Sequence, residues 1–283
     1  MSKYIILLPL YNDWACLTIL LEKVNLIIKN LKKPVEVIIV NDNSTNEQPK
    51  LISYENIKKI RILNLKNNLG SQKAISIGLK YLIQKDQNAI ITILDSDGED
   101  DVSQIPLMIL EAENNKEKVI VSTRKKRQET FIFKTLYFFH KIITFTLTLK
   151  WISFGNYSSF HSRQLKNILR DDCSWLAISA CIAKNCKIKK IEAERKKRLV
   201  GKSKISFFSL VIHSLRVNSV FIFRCFFSSS LYFSFFVLIS LNGYKWFFLV
   251  ASVIFFYNLL IFVIYILNRQ KEFLNSLSFI KNL

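Results

Sequence analysis

The run Ile90-Ile91-Thr92-Ile93-Leu94 is long enough for a strand and stops abruptly at Asp95-Ser96-Asp97-Gly98-Glu99-Asp100-Asp101. Uninterrupted apolar, β-branched residues mark a strand buried on both faces, as in a parallel sheet covered by helices. Asp95 and Asp97 are spaced i, i+2, so in extended backbone their side chains point the same way. In open α/β sheets, ligands bind beyond the carboxyl ends of the strands. Two carboxylates there, together with substrate phosphates, suit Mg²⁺ or Mn²⁺, because a hard ion wants oxygen ligands and leaves positions for a diphosphate. On these residues alone, an acidic loop that merely caps the next helix is the alternative.

Taken in order, the chain alternates. Tyr4 to Leu8 reads as a buried strand closed by Pro9-Leu10-Tyr11-Asn12-Asp13, and Trp14 to Asn30 has helical apolar spacing. Val35 to Val40 is a second strand, ending in Asn41-Asp42-Asn43-Ser44; Lys59 to Leu65 is a third, followed by the turn Asn67-Asn68-Leu69-Gly70-Ser71 and a helix from Gln72 to Ile83. After the acidic strand end come a helix from Gln104 to about Asn114 and a strand from Lys118 to Ser122. His161 to Asp171 and Trp175 to Asn185 read as helices, and Lys187 to Ala193 as an edge strand. Strands alternating with helices on short loops predict a right-handed, mostly parallel, doubly wound α/β sheet. Polar groups at its strand ends (Asn12, Asp13, Asp42, Asp95, Asp97) are then expected to converge on one ligand, with Asp42 accepting from a base or ribose.

The chain has 283 residues, with Lys+Arg 41 against Asp+Glu 21, a formal charge of +20. Such a surface favours polyanions: nucleotides, nucleic acid or anionic lipid. A hydrophobic content of 50% with 23 Phe favours lipid over nucleic acid. Five cysteines without a Cys-x-x-Cys read as reduced thiols, not as a disulfide framework or zinc site. His140, His161 and His213 lie among aromatic or basic neighbours and read as structural.

Four segments now carry a resemblance: Leu8-Pro9-Leu10-Tyr11-Asn12, Val40-Asn41-Asp42-Asn43-Ser44, Asn68-Leu69-Gly70-Ser71-Gln72-Lys73-Ala74 and Leu94-Asp95-Ser96-Asp97-Gly98-Glu99-Asp100. They resemble the successive motifs of family 2 glycosyltransferases with the GT-A fold, in the dolichyl-phosphate mannosyltransferase-like and bacterial polyprenyl-phosphate branch. A later motif appears as Glu194-Arg195-Lys196-Lys197-Arg198-Leu199-Val200-Gly201-Lys202-Ser203-Lys204. The chain departs from that pattern at Asn41, where the family usually has an acid, at Gly98, where it usually has Leu, and near Gly155 to Phe160, where an Asp and an Arg are absent.

The resemblance implies that Asp95, Asp97 and Glu99 bind the divalent cation. It implies nucleotide-sugar contacts from Pro9, Tyr11, Asn12, Asp42, Gly70, Lys73, Asp95, Ser96 and Asp97. By resemblance the later motif closes over donor and acceptor phosphates, with Arg198, Ser203 and Lys204 as contacts. Arg124 and Arg127, directly after the fifth strand, would bind acceptor phosphate if that strand sets them beside the metal site, a solvated basic loop being the alternative. Asp95, Asp97, Arg124, Arg198 and Lys204 are then expected at the chemistry, with inversion at the sugar. A phosphate acceptor is already an anionic nucleophile at neutral pH and needs no dedicated base. Transfer to a glycan or glycolipid hydroxyl is the second reading; it needs a base, for which Asp171 or Asp172 is available. A non-catalytic membrane nucleotide-binding protein is the third.

Beyond the GT-A domain, expected over 1–205, Phe131 to Lys150 reads as an interfacial helix and 206–225 as a juxtamembrane amphipathic helix. Phe226 to Leu241 and Trp246 to Leu267 are uncharged runs near the roughly 20 residues that span a bilayer. Joined by Asn242-Gly243-Tyr244-Lys245, they predict a transmembrane hairpin, with 268–283 as a tail; for Phe226 to Leu241, short and Ser-rich, a re-entrant or tilted segment is the alternative. Arg216 and Arg224 before the hairpin and Arg269 and Lys271 after it keep both ends cytoplasmic by the positive-inside rule. The N-terminus, Met1-Ser2-Lys3, opens into a strand too short for a signal peptide, which agrees with a cytoplasmic catalytic domain. The hairpin is also the expected place for self-association. Nucleic acid is not expected as a partner.

Overall fold

The structure, a computed structural model, describes residues 3–50, 52–85, 88–124, 131–194, 196–201, 207–268 and 270–281. The strands are β1 (Lys3–Leu10), β2 (Val35–Asn41), β3 (Ile57–Asn64), β4 (Ala89–Ile93), β5 (Lys118–Arg124), β6 (Phe154–His161) and β7 (Lys187–Ala193). The α-helices are α1 (Trp14–Ile27), α2 (Ser71–Lys85), α3 (Ile105–Asn114), α4 (Phe131–Thr148), α5 (Leu165–Ile168), α6 (Cys173–Leu176), α7 (Ile178–Asn185), α8 (Phe207–Ser219), α9 (Ile222–Leu241), α10 (Phe247–Leu267) and α11 (Gln270–Leu274). The chain folds as two compact units, one of Met1–Arg127, Ser153–Lys204 and Gln270–Leu283, the other of Gln128–Ile152 and Ile205–Arg269.

The first unit is built on one sheet of order β3-β2-β1-β4-β6-β5-β7. It is the expected mostly parallel α/β sheet; β6 alone runs antiparallel, to both β4 and β5. Every residue of β2 and β4 is buried, as continuous apolar strands require when helices cover both faces. Helix α1 buries Trp14, Leu17, Leu21 and Val24, a stripe with the 3.6-residue period. Helix α2 approaches the sheet at Gly78, where a Cβ would lie 2.6 Å from Leu7 Cδ1 and 2.9 Å from Val40 Cγ2.

Strand β6 was not expected, and its composition explains why. Ser158 and Ser159 are fully buried, so the segment lacks the Val and Ile signature of a central strand. Their hydroxyls are satisfied internally: Ser159 Oγ lies 3.0 Å from Thr92 Oγ1, and Ser158 donates to the Asn156 carbonyl at 2.9 Å. Because β6 runs through His161, the helix expected over 161–171 shrinks to a 3₁₀ turn at Ser162–Gln164 followed by α5. The expected helix from Trp175 to Asn185 is broken at Ala177, whose extended backbone (φ −158°, ψ 115°) separates α6 from α7. The reading of five reduced cysteines is corrected at one pair: Cys173 and Cys181, with Cα atoms 5.3 Å apart across that break, are joined in a disulfide.

The segment expected as a tail belongs to the first unit. Leu65 bridges Ile280, Lys66 N–H donates to the Phe279 carbonyl at 2.8 Å, and Lys281 N–H donates to the Asn64 carbonyl at 2.7 Å. Phe273 and Phe279 pack beside Trp175, with ring centroids 6.0 Å and 6.5 Å away.

The second unit is helical. Helices α9 and α10, of 20 and 21 residues, are long and apolar enough to cross a membrane, with 17% and 11% of their most apolar stretch buried. Polar groups join the helices to one another: Asn218 Nδ2 donates to Tyr257 Oη at 2.7 Å and Ser229 Oγ to Asn258 Oδ1 at 2.9 Å. Helix α4 exposes Phe138, Phe139, Ile142, Ile143 and Phe145. Two histidines are engaged by the protein itself: His140 Nδ1 lies 2.6 Å from Ser214 Oγ, and His161 Nδ1 accepts from Arg163 N–H.

Gly78→Val adds a branched side chain where the α2–sheet contact has no room. It should lower stability by about 2 kcal/mol, measured by thermal or denaturant unfolding of the detergent-solubilised protein.

Candidate active site

The carboxyl ends of β1, β2 and β4 lie side by side, since β1 pairs in parallel with both others. Each end carries one of the expected polar groups. Asn12, just past β1, has a left-handed backbone (φ 53°). Its N–H donates to Ser44 Oγ at 2.9 Å, and its Oδ1 accepts from the Thr45 and Asn46 N–H groups at 2.8 and 3.1 Å. Asn12 thus stitches the β1 end to the loop after β2. Pro9 is buried within β1, opposite Val40, whereas Tyr11 is exposed.

Asp42 is buried, and both its oxygens are engaged by the protein itself. Oδ1 accepts from Leu69 N–H at 2.7 Å and Oδ2 from Gly70 N–H at 2.8 Å. Burial pushes its carboxyl above the usual carboxylate range, although those two amides and Lys73 pull the other way. Asp42 therefore shapes the turn that launches α2. Gly70 supplies the positive φ (89°) that this turn requires. Lys73, in the first turn of α2, pairs with Glu272 at 3.4 Å, its Nζ 4.9 Å from the Trp175 ring.

The acidic turn after β4 is held largely by its own carboxylates. Asp95 N–H donates to Asp100 Oδ2 and Glu99 N–H to Asp97 Oδ1, both at 3.0 Å, while Asp101 Oδ1 accepts from Ser103 N–H at 3.2 Å. Ser96 is buried between Asp95 and Asp97. From β6, Asn156 Nδ2 donates to Asp95 Oδ1 at 3.1 Å, and Tyr157 Oη donates to the Asp101 carbonyl at 3.1 Å.

The basic segment after β7 is strapped to this turn. Lys196 N–H donates to the Glu99 carbonyl at 2.9 Å and Leu199 N–H to the Asp97 carbonyl at 3.2 Å. Gly98 makes the approach feasible: its φ is 77°, and a Cβ there would fall 2.4 Å from the Leu199 side chain. At this φ any side chain is strained, and the Leu usual in the family would also require Leu199 to move. The strap delivers Arg198, whose guanidinium reaches Asp13 Oδ1 at 2.5 Å and Asp97 Oδ2 at 3.4 Å. Burial works against the Arg198 charge, but Asp13 and Asp97 outweigh it and raise its pKa further.

The structure thus brings together Asn12, Asp13, Asp95, Ser96, Asp97, Glu99 and Arg198. Arg124 is the last residue of β5, opposite Ala193 of β7 in register. Arg127, Ser203 and Lys204 lie outside the described residues. Asp171 is paired with Lys184 at 3.1 Å and accepts from Cys173 N–H, which gives it a structural role at the α5–α6 turn. Sequence reasoning assigned no role to Asn156 or Gln72, and left Asp13 without a specific partner.

Carboxylate oxygens are the right donors for Mg²⁺ or Mn²⁺, and Asp97 already faces a cation in Arg198. Among the described residues, the one set of three such ligand atoms within 4.8 Å of each other belongs to Asp171, Cys173 and Cys181, two of which are spent in the disulfide. Asp95, Asp97 and Glu99 form no such cage. The donor set fits an ion held through one or two carboxylates and completed by diphosphate oxygens, not one enclosed by protein.

Residues 5–179 match the family model described as glycosyl transferase family 2. The undecaprenyl-phosphate 4-deoxy-4-formamido-L-arabinose transferase of Yersinia enterocolitica is 31% identical over 137 residues, which is 47% of this chain and 40% of that protein. The transferase of the same name from Photorhabdus laumondii is 27% identical over 219 residues, 74% of this chain and 65% of that one. The chain therefore spans less than two thirds of the length of these relatives. The fold is similar to that of glucosyl-3-phosphoglycerate synthase from Mycobacterium tuberculosis in complex with Mn²⁺ and UDP-glucose, with a TM-score of 0.51, 12% identity and 79% of each chain covered.

Asp42→Ala leaves two amides of the turn without their acceptor. It should destabilise the protein by about 2 kcal/mol and speed hydrogen exchange at Leu69 and Gly70, read by exchange mass spectrometry.

Proposed function

The chain belongs to glycosyl transferase family 2, and from that premise we propose that it moves a sugar from a nucleoside diphosphate sugar to a polyprenyl phosphate at the cytoplasmic face of a membrane. The observation that carries this reading is the junction of the acidic turn with the basic strap, where Leu199 N–H meets the Asp97 carbonyl and Arg198 lies between Asp13 and Asp97. A site that sets carboxylates beside a guanidinium has what a diphosphate leaving group needs: cation ligands on one side and a bidentate phosphate donor on the other. The curated relatives named as undecaprenyl-phosphate transferases and the apolar helices α9 and α10 support a lipid-linked acceptor.

In this proposal Asp95, Asp97 and Glu99 would hold Mg²⁺ or Mn²⁺ together with the donor diphosphate. When bound, that ion acts as a Lewis acid that offsets the charge developing on the leaving group. Arg198, set between Asp13 and Asp97, would offer its guanidinium to the donor phosphates. Pro9, Tyr11, Asn12, Asp42, Gly70, Lys73 and Ser96 line the nucleotide side, Asp42 also holding the turn before α2. Arg124, Arg127, Arg198, Ser203 and Lys204 bind the acceptor phosphate, the four cations offsetting its charge; its oxygen attacks without a protein base, inverts the anomeric carbon and displaces the nucleoside diphosphate. Helices α9 and α10 anchor the enzyme, and α4 lies in the interface.

Asp97→Asn should leave the protein folded and reduce transfer by about 10²-fold or more, the scale of removing one electrostatic contact to the transition state. The measurement is transfer of radiolabelled sugar to undecaprenyl phosphate or dolichyl phosphate with Mn²⁺ present, paired with mass spectrometry of lipids from expressing cells. Undiminished transfer by the variant would remove Asp97 from the chemistry. Label on a glycan hydroxyl, and none on polyprenyl phosphate, would move the acceptor to the second class.

A further inference from the structure

Strand β6 pairs antiparallel with β4, with Ile93 opposite Ser158. Continuing that register two residues past the end of β4 sets Asn156 opposite Asp95, and the side chains do meet: Asn156 Nδ2 donates to Asp95 Oδ1 at 3.1 Å. Behind Asn156 stands Gln72 of α2, whose Nε2 donates to Asn156 Oδ1 at 3.1 Å. Behind Gln72 stands the first backbone amide of α7, since Ile178 N–H donates to Gln72 Oε1 at 2.8 Å. Gln72 is buried and Asn156 half-buried.

The direction of this chain of hydrogen bonds is fixed from its far end. A backbone N–H can only donate, and the first amides of a helix have no partner within the helix. Ile178 therefore forces Gln72 to present its carbonyl to α7 and its NH₂ to Asn156. Asn156 must then turn its carbonyl to Gln72 and its NH₂ to Asp95. Two neutral amides carry the polarity of a helix N-terminus to one oxygen of the carboxylate at the end of β4.

We propose that Asn156, oriented by Gln72, is a positioning residue that fixes the rotamer of Asp95 for divalent-cation binding. The inference rests on the reading of Asp95 as a cation ligand. Hydrogen-bonded partners behind a ligating carboxylate set its orientation, and their loss typically weakens metal affinity about 10- to 100-fold. The amide is well suited to this position. It orients Asp95 without adding positive charge, so it does not compete with the ion as a lysine or arginine would.

The test is a calorimetric titration of Mn²⁺ in the presence of UDP, GDP, CDP or dTDP, using the full-length detergent-solubilised protein, with thermal melts as a control for folding. Asn156→Ala should raise the half-saturating Mn²⁺ concentration about 10-fold or more with a cooperative melt retained. Gln72→Glu provides an independent route. Its carboxylate still accepts from Ile178 but cannot donate to Asn156, so Asn156 turns its NH₂ to Glu and its carbonyl to Asp95. That variant should weaken Mn²⁺ binding at least as much as Asn156→Ala. Because it acts through Asn156, it should add nothing in the Asn156→Ala background.

An unchanged Mn²⁺ midpoint in Asn156→Ala overturns the positioning role. So does an effect of Gln72→Glu that is equally large with or without Asn156. If the wild-type protein binds every one of these nucleotides independently of Mn²⁺, the assignment of Asp95 to a cation fails, and the positioning role fails with it.

Discussion

The structure turns on how a dense group of carboxylates is made tolerable. Asp95, Asp97, Glu99, Asp100 and Asp101 fall within seven residues at the end of a buried strand, and Asp13 is brought close to Asp97 by Arg198. Unscreened charges this close would repel strongly in a partly desolvated site. The fold answers with donors of three kinds. Backbone amides of Asp95, Glu99 and Ser103 point at the carboxylates of the turn itself, Asn156 contributes a neutral amide, and Arg198 and Lys196 bring full positive charge. The first two kinds are permanent parts of the scaffold. Arg198 arrives on a segment held to the turn by two backbone hydrogen bonds and the Lys196–Asp101 pair.

The surrounding architecture follows from supplying those donors. Strand β6 has to run antiparallel for Asn156 to come opposite Asp95, because a parallel neighbour would bring the opposite end of its strand to that edge. Small hydroxyl residues at its centre, satisfied by Thr92 and by their own backbone, let it fit between β4 and β5. Gly98 has no side chain because Leu199 occupies the space. Helix α2 serves twice: Gln72 supports Asn156, and Lys73 meets Glu272 of the C-terminal segment, which follows α10 in sequence and pairs with the end of β3.

The second unit solves a different problem. Its helices are apolar on most faces, so hydrophobicity alone does not select one arrangement among them, and a few polar contacts set the register. Asn218 with Tyr257 and Ser229 with Asn258 are of the kind that joins helices in lipid, where no water competes for a hydrogen bond. Helices α9 and α10 hold one charged residue between them, Arg224, although the whole chain carries a formal charge of +20.

The sequence by itself determined the covered parallel sheet, because continuous apolar strands alternating with helical periods allow few other folds. It also determined that a carboxylate-rich turn follows a buried strand, because the apolar run stops abruptly at Asp95, and the two long apolar helices, because length and near-absence of charge suffice. Local pattern could not reveal β6, whose serines look like a loop until Thr92 is seen across from them. Nor could it show that Asp42 faces Leu69 and Gly70, that Cys173 meets Cys181, or that residues 270–281 return to the sheet. Those are pairings between distant positions, and only the closed chain decides which distant donor finds which acceptor. Asp95 was legible as a candidate because its own neighbours in sequence mark it; the Asn156 contact was not, because it comes from a register set 61 residues away.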